Sequence, residues 1–230
     1  MRFWGDQVEG ILSRRWYARP TLDVARDLLG KILIVRADPS RPLDDGRAGL
    51  TAGRIIETEA YHGSDPASHC SRGRTPRCSV MFGPPGVAYV YFVYGMHEML
   101  NFVTERDGYP GAVLIRAVEP LLGQELMARR RGELAPRHWT SGPGRLCRAM
   151  GIRLSHHGQD LTGPCLFVAD DGWRPQSVLV SPRVGIRAGV RRPWRFFVAD
   201  NPYVSRVSEN LSARPDRRRP AWPGCRPRSR

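Results

Sequence analysis

The sequence predicts one domain that mixes helices with strands. Three observations carry that reading. Its 230 residues fall within single-domain size, and no repeat of about 20–50 residues is present. A hydrophobic share of 41% against 25% charged residues suffices for one core. Short runs rich in aromatic and β-branched residues are punctuated by turn signals and by stretches of helical periodicity.

The elements follow in order. Residues 1–15 are a lead-in, and the domain proper spans 16–210. Thr21 reads as a helix N-cap with Asp23 in the first turn. Leu22, Ala25, Leu28 and Leu29 then form an apolar stripe, and Gly30 stands where a C-terminal glycine ends a helix. Residues 32–35 read as a strand, 38–48 as a Pro/Asp/Gly-rich loop and 53–60 as a second strand. Residues 62–80 are polar and aperiodic, a long loop of the kind that is usually functional or disordered. Gly83-Pro84-Pro85-Gly86 signals a turn before a strand at 87–93. Gly95 predicts a hairpin tip, with a return strand at 99–103. Another strand, 112–118, ends at Pro120. Residues 121–131 and 144–151 read as helices, and 177–184 and 195–198 as short strands. From Arg214 the chain is rich in Arg and Pro, with seven arginines and one aspartate. A disordered tail is expected over 211–230.

Charge narrows the function. Lys plus Arg is 36 against 22 acids, a formal net charge of +14. Such an excess suits a polyanion, either nucleic acid or an anionic membrane surface. No run approaches 18 apolar residues, so no membrane span is expected. Residues 1–17 lack the apolar stretch of a signal peptide. The five cysteines are odd in number and contain no CxxC, which argues against a disulfide framework or a zinc finger and for reduced thiols in the cytosol. A membrane-surface role lacks a basic amphipathic helix.

Four constellations could do chemistry. In Arg54-Ile55-Ile56-Glu57-Thr58-Glu59-Ala60-Tyr61, strand alternation puts Glu57, Glu59 and Tyr61 on one face. Pattern alone favours an edge strand with solvated acids; the alternative is a catalytic carboxylate facing a cleft. In Tyr89-Val90-Tyr91-Phe92-Val93-Tyr94-Gly95, the tyrosines read either as core or as rings that stack on a base and wedge into a duplex. His62 and His69, with Arg72, Arg74 and Arg77 nearby, form a solvated basic loop or a set of phosphate contacts beside a base pocket. Cys70 and Cys78 near His69 match no common metal spacing. The H-x-E and P-C-x-x-C pattern of zinc deaminases is absent. Thr140-Ser141-Gly142-Pro143-Gly144-Arg145-Leu146 is either an ordinary capped turn or a helix start that receives phosphate.

Several of these runs together resemble the alkyladenine (3-methyladenine) DNA glycosylase family. They include Ile56-Glu57-Thr58-Glu59-Ala60-Tyr61, Ala67-Ser68-His69, Thr75-Pro76-Arg77, Met81-Phe82-Gly83-Pro84-Pro85-Gly86, and the stretch from Ala88 to His97. They continue with Leu114-Ile115-Arg116-Ala117-Val118-Glu119-Pro120, Thr140-Ser141-Gly142-Pro143, Pro182-Arg183-Val184-Gly185 and Pro193-Trp194-Arg195-Phe196. The departures are Cys78-Ser79 after Thr-Pro-Arg, and Glu98-Met99 after the Gly-Met-His turn.

The resemblance implies a single α+β domain, a curved antiparallel sheet with surrounding helices. It implies an enzyme that flips alkylated or deaminated purines from double-stranded DNA and hydrolyses their N-glycosidic bond, starting base excision repair. The expected location is cytoplasmic, at the nucleoid, and a monomer is expected because nothing in the sequence demands more. No metal or cofactor is implied. Glu59 is similar to the family's water-activating carboxylate, with Arg116 and the backbone carbonyl of Val184 beside that water. Tyr61, His69 and Tyr91 correspond to the pocket walls, Asn101 to the residue that rejects guanine's exocyclic amine, and Tyr94 to the intercalating tip. A lyase would need a Schiff-base amine. Lys31 is the only lysine, and it follows a predicted helix end. The competing non-enzyme reading is a basic nucleic-acid-binding protein in which the tyrosines only stack.

Overall fold

The computed structural model describes residues 10–37 and 49–216. Its elements are α1 (Arg14–Tyr17), α2 (Thr21–Asp27), β1 (Ile32–Arg36), β2 (Leu50–His62), β3 (Ala88–Val93), β4 (His97–Val103), β5 (Gly111–Leu122), α3 (Gln124–Arg131), α4 (Pro143–Met150), β6 (Leu166–Ala169), β7 (Val178–Ser181), β8 (Arg195–Val198) and β9 (Arg214–Pro215). All ladders are antiparallel. The sheet runs β3-β4-β5-β2-β8-β7-β9, with β1 joining β2 to β6. This is the expected α+β fold.

The long strand β2 organises the sheet. From Ala52 to His62 it pairs with β5 along one side. On the other side, residues from Leu50 to Arg54 pair with β1, and Glu57 to Glu59 pair with β8. The exchange of partner falls at a bulge. Ile55 faces Val118 and Glu57 faces Ala117, so Ile56 is the extra residue; Thr58 then faces Ile115, which leaves Arg116 extra on β5. Two opposed bulges restore the register, bend the ladder and re-aim side chains locally.

Alternation divides the sheet into two faces. Ala60, Val90, Leu100, Phe102 and Ile115 join the main core with Leu28 and Leu29 after α2 and with Leu146 and Met150 of α4. Their neighbours Tyr89, Val103 and Ala112 belong to a second cluster with Cys70, Cys78 and Met81 of the long loop. The four cysteines of the described residues are free, and three are buried.

Several boundaries depart from the sequence reading. Thr21 is not the N-cap. Pro20 takes that place, and Glu105 accepts from both the Thr21 N–H (2.6 Å) and its hydroxyl (2.7 Å). β5 runs through Pro120 to Leu122, so α3 starts only at Gln124. The return strand begins earlier, at His97, and β7 stops at Ser181. The acids do not lie on a solvated edge: β2 is internal, and Glu57 and Glu59 are both 0% exposed. The expected tail divides. Residues up to 216 are part of the fold, since β9 pairs with β7 and Asp216 accepts from Arg26. The rest of the tail and the 38–48 loop lie outside the described residues.

Candidate active site

One row of residues crosses the sheet. Tyr89 faces Asn101, Asn101 faces Leu114, and Leu114 faces Glu59. At the usual strand spacing the row spans about 14 Å. It floors a cavity of about 520 Å³. Tyr61 stands two residues beyond Glu59 on β2, and Tyr91 two beyond Tyr89 on β3. The long loop contributes His69 and Arg77, and the segment after β7 contributes Val184.

The acids sit in different settings. Glu57 is enclosed. Its Oε1 accepts from Nε of Arg116 and Nε of Arg195, each at 2.7 Å, and Oε2 accepts from the Ser205 N–H at 2.8 Å. Burial raises its pKa, but the two guanidiniums and the Ser205 N–H outweigh that and hold it below the ordinary value. Glu59 lines the cavity. Its Oε1 accepts from the Val184 N–H at 2.7 Å and lies 3.2 Å from Nη1 of Arg116; Oε2 accepts from the Tyr61 hydroxyl at 2.8 Å. A carboxylate offers about four lone-pair positions. Oε2, with one hydrogen bond, keeps an acceptor position open, while Oε1 is occupied by the Val184 N–H and faces the Arg116 charge.

The bulge at Arg116 makes this arrangement possible. Displaced from regular pairing, Arg116 reaches both carboxylates at once. Burial opposes its charge, yet the charges of Glu59 and Glu57 prevail and raise its pKa. Burial, then the charge of Glu59, raises the Tyr61 pKa well above its usual value, so the phenol remains a donor.

The other walls are aromatic. The His69 and Tyr91 rings meet edge-on at 4.6 Å, and Tyr91 lies 5.1 Å from Tyr89. Nδ1 of His69 is 2.7 Å from the Tyr89 hydroxyl. Burial, then the Arg77 charge, lowers His69 to a pKa of about 4. The Asn101 amide donates to the Tyr89 carbonyl at 3.2 Å. Tyr94 stands at the hairpin tip, 83% exposed, with a left-handed φ of 54° that few bulky residues adopt.

The comparisons with known proteins fall on the same stretch of chain. Residues 15–202 match the methylpurine-DNA glycosylase family. The chain belongs to that family. It is similar to a protein of Methanocella arvoryzae named "Putative 3-methyladenine DNA glycosylase", 48% identical over 85% of this chain and 96% of that one. Proteins of the same name from Carboxydothermus hydrogenoformans and Anaeromyxobacter dehalogenans are 43% and 46% identical, covering 85% and 88% of this chain and 99% and 89% of theirs.

All eight residues singled out from the glycosylase resemblance line the cavity: Glu59, Tyr61, His69, Tyr91, Tyr94, Asn101, Arg116 and Val184. Val184 meets Glu59 through its N–H, a contact the resemblance did not name. The resemblance gave no role to three further residues. Tyr89 anchors His69, and its alternation with Tyr91 was the available signal. Arg77 is a wall residue, its guanidinium 5.2 Å from the Tyr91 ring centre. Arg195 closes off Glu57 from 138 positions away, which no local pattern reveals.

Proposed function

We propose that the chain is a monofunctional DNA glycosylase that takes a damaged purine from duplex DNA into this cavity and hydrolyses its N-glycosidic bond. The carrying observation is Glu59: a fully buried carboxylate, held by two hydrogen bonds and the Arg116 ion pair, with an acceptor position open on Oε2 at the floor of an aromatic cavity.

The chemistry follows from that geometry. As a purine leaves, its sugar becomes cation-like. Glu59 accepts a proton from water through the open position and offsets the developing positive charge. Arg116, the Val184 N–H and the Tyr61 hydroxyl fix the carboxylate so that it need not reorganise during the reaction. Tyr91, His69 and Tyr61 supply flat surfaces for the base. An alkylated purine is cationic, and its attraction to a desolvated tyrosine ring adds about 2 kcal/mol. Hydrolysis without a Schiff base is supported by Lys31, whose ammonium pairs with Asp170 at 2.8 Å and does not line the cavity. Deaminated purines are included among the substrates, and Tyr94 fills the space the flipped nucleotide leaves.

The test is release of free base from DNA carrying 3-methyladenine, 7-methylguanine, hypoxanthine or ethenoadenine. The expected result is release of free purine, with an intact abasic strand until alkali is added. Tight binding without base release would leave the chain a nucleic-acid-binding protein, and strand scission without alkali would make it a lyase.

A further inference from the structure

A second cavity, of about 820 Å³, opens on the other flank of the hairpin. It shares Met99 and Pro143 with the base cavity but is otherwise separate. Its walls are the start of β4, the first turn of α4, and the arginines Arg131, Arg145, Arg148 and Arg153. Among the described residues Glu98 is the one carboxylate lining it, and it lies 3.6 Å from Arg153. The other three arginines have no acid beside them among the described residues. Nε of Arg131 is buried without a hydrogen-bond partner. Arg148 commits its Nε to the Arg130 carbonyl at 2.9 Å and keeps its two amino groups free of that bond. Arginines gathered this way repel one another: burial, then the charges of Arg148 and Arg145, lowers the Arg131 pKa. An anion in the groove reverses that cost.

The position of the groove says which anion. Tyr94 lines the base cavity and Met96, two residues on, lines the groove, so the hairpin tip stands between them. A ring that enters a duplex from this tip has the flipped base on the cavity side and the intact strand on the other. The groove is also held rigidly against the hairpin. A β-carbon on Gly144 would lie 2.9 Å from the His97 ring, so only glycine lets α4 start this close to β4.

We propose that this groove seats backbone phosphates of the DNA strand opposite the lesion, with Arg131, Arg145 and Arg148 as their contacts. The assignment rests on the glycosylase reading for the identity of the duplex, and its test is a binding measurement that does not need base release. Arg145 and Arg148 are exposed, so replacing them leaves the core untouched. The variant is the double substitution Arg145→Gln with Arg148→Gln in the full chain, checked by thermal unfolding. The probes are a lesion-containing duplex, the lesion strand alone, and the same duplex with neutral methylphosphonate linkages in the opposite strand. The salt slope on duplex should fall by roughly 0.9 for each phosphate that the variant no longer neutralises. Binding to the lesion strand alone should stay within about twofold. The methylphosphonate patch should weaken the parent protein more than the variant, which keeps only Arg131 of the three contacts. Equal losses on duplex and single strand would assign the groove to the lesion strand and overturn the proposal. So would an unchanged duplex slope, or a patch that weakens parent and variant alike. A parent protein that binds but releases no base would remove the glycosylase reading and leave the strand assignment to these three probes.

Discussion

Arg183 and Asp65 form an ion pair with both side chains fully buried, and it ties the long loop to the segment after β7, behind the cavity. Nη2 of Arg183 donates to Asp65 Oδ1 at 2.9 Å, and Nη1 donates to the Ala60 carbonyl at 2.8 Å. Its guanidinium lies 4.5 Å from the Tyr61 ring centre. Asp65 in turn accepts from the Ala67 N–H at 3.2 Å, two residues before His69. One residue before Val184, Arg183 therefore connects three walls of the cavity.

Breaking this pair should cost far more than an exposed one. Asp65→Asn leaves a buried guanidinium without its counter-charge, a loss of roughly 3–5 kcal/mol. Denaturant unfolding measures it. Pairing Asp65→Asn with Arg183→Met should lose less than the sum of the single changes, since only Arg192, which lies partly exposed 3.4 Å from Asp65, is left without its counter-charge. A single Asp65→Asn loss under about 1 kcal/mol, the scale of a surface pair, would show that the loop is anchored elsewhere.

The two acids of β2 should separate cleanly. Glu59→Gln keeps the shape and is expected to lower single-turnover base release by roughly 10²–10⁴ while the protein stays folded. Glu57→Gln should mainly destabilise. Because the folded pKa of Glu57 is depressed, its contribution is complete above the ordinary value of 4.5 and fades as pH falls through the folded pKa. Unfolding free energy measured against pH should therefore decline less on the acid side for Glu57→Gln than for the parent. If Glu57→Gln is folded and inactive while Glu59→Gln still releases base, the assignment is reversed.

The sequence revealed these acids but not their difference. Strand alternation puts Glu57, Glu59 and Tyr61 on one face, which is correct, but what encloses Glu57 comes from Arg116, Arg195 and Ser205, far along the chain. Only the family resemblance chose Glu59. The same limit explains other misses. Thr21 looks like a cap because its true partner, Glu105, lies 84 residues away. β6 is four residues long and buried throughout, too short to display an alternation. β5 passes Pro120, which pairs with Gly53 immediately beside a register shift between Gly53 and Ala52, the kind of irregularity at which strands tolerate proline. By contrast β8 was legible residue for residue, since Arg195–Val198 is bounded by Pro193 and by the turn at Asp200.

Tyr94 sets function against stability. Its left-handed backbone costs roughly 1 kcal/mol that glycine would not incur. Tyr94→Gly should therefore leave stability unchanged or raise it, while excision from paired DNA slows. Lesions in bulges, already unstacked, should be affected less. Side-by-side excision from paired and bulged substrates decides; equal losses, or a large drop in thermal stability, would make the ring a packing element.

Arg77 should tune His69. Burial is the larger cause of the lowered His69 pKa, and the Arg77 charge adds to it. Arg77→Gln should therefore raise the pKa above about 4 and still leave it below 6.5. Titration of the His69 ring by NMR measures this. A pKa unmoved by the substitution would place the Arg77 guanidinium too far from the imidazole to matter.

The β3–β4 hairpin also has the form of a ruler. Asn101 is pinned at one end by its bond to the Tyr89 carbonyl, and Tyr94 stands at the other. Between His97 and Asn101 the strand rises about 13 Å. On the proposed glycosylase reading, how deep a base must travel once the tip is seated is thus written as a count of residues. Two residues added to each strand would keep every side chain on its face yet lift the tip by about 7 Å, leaving an intact chamber that a flipped nucleotide could no longer reach.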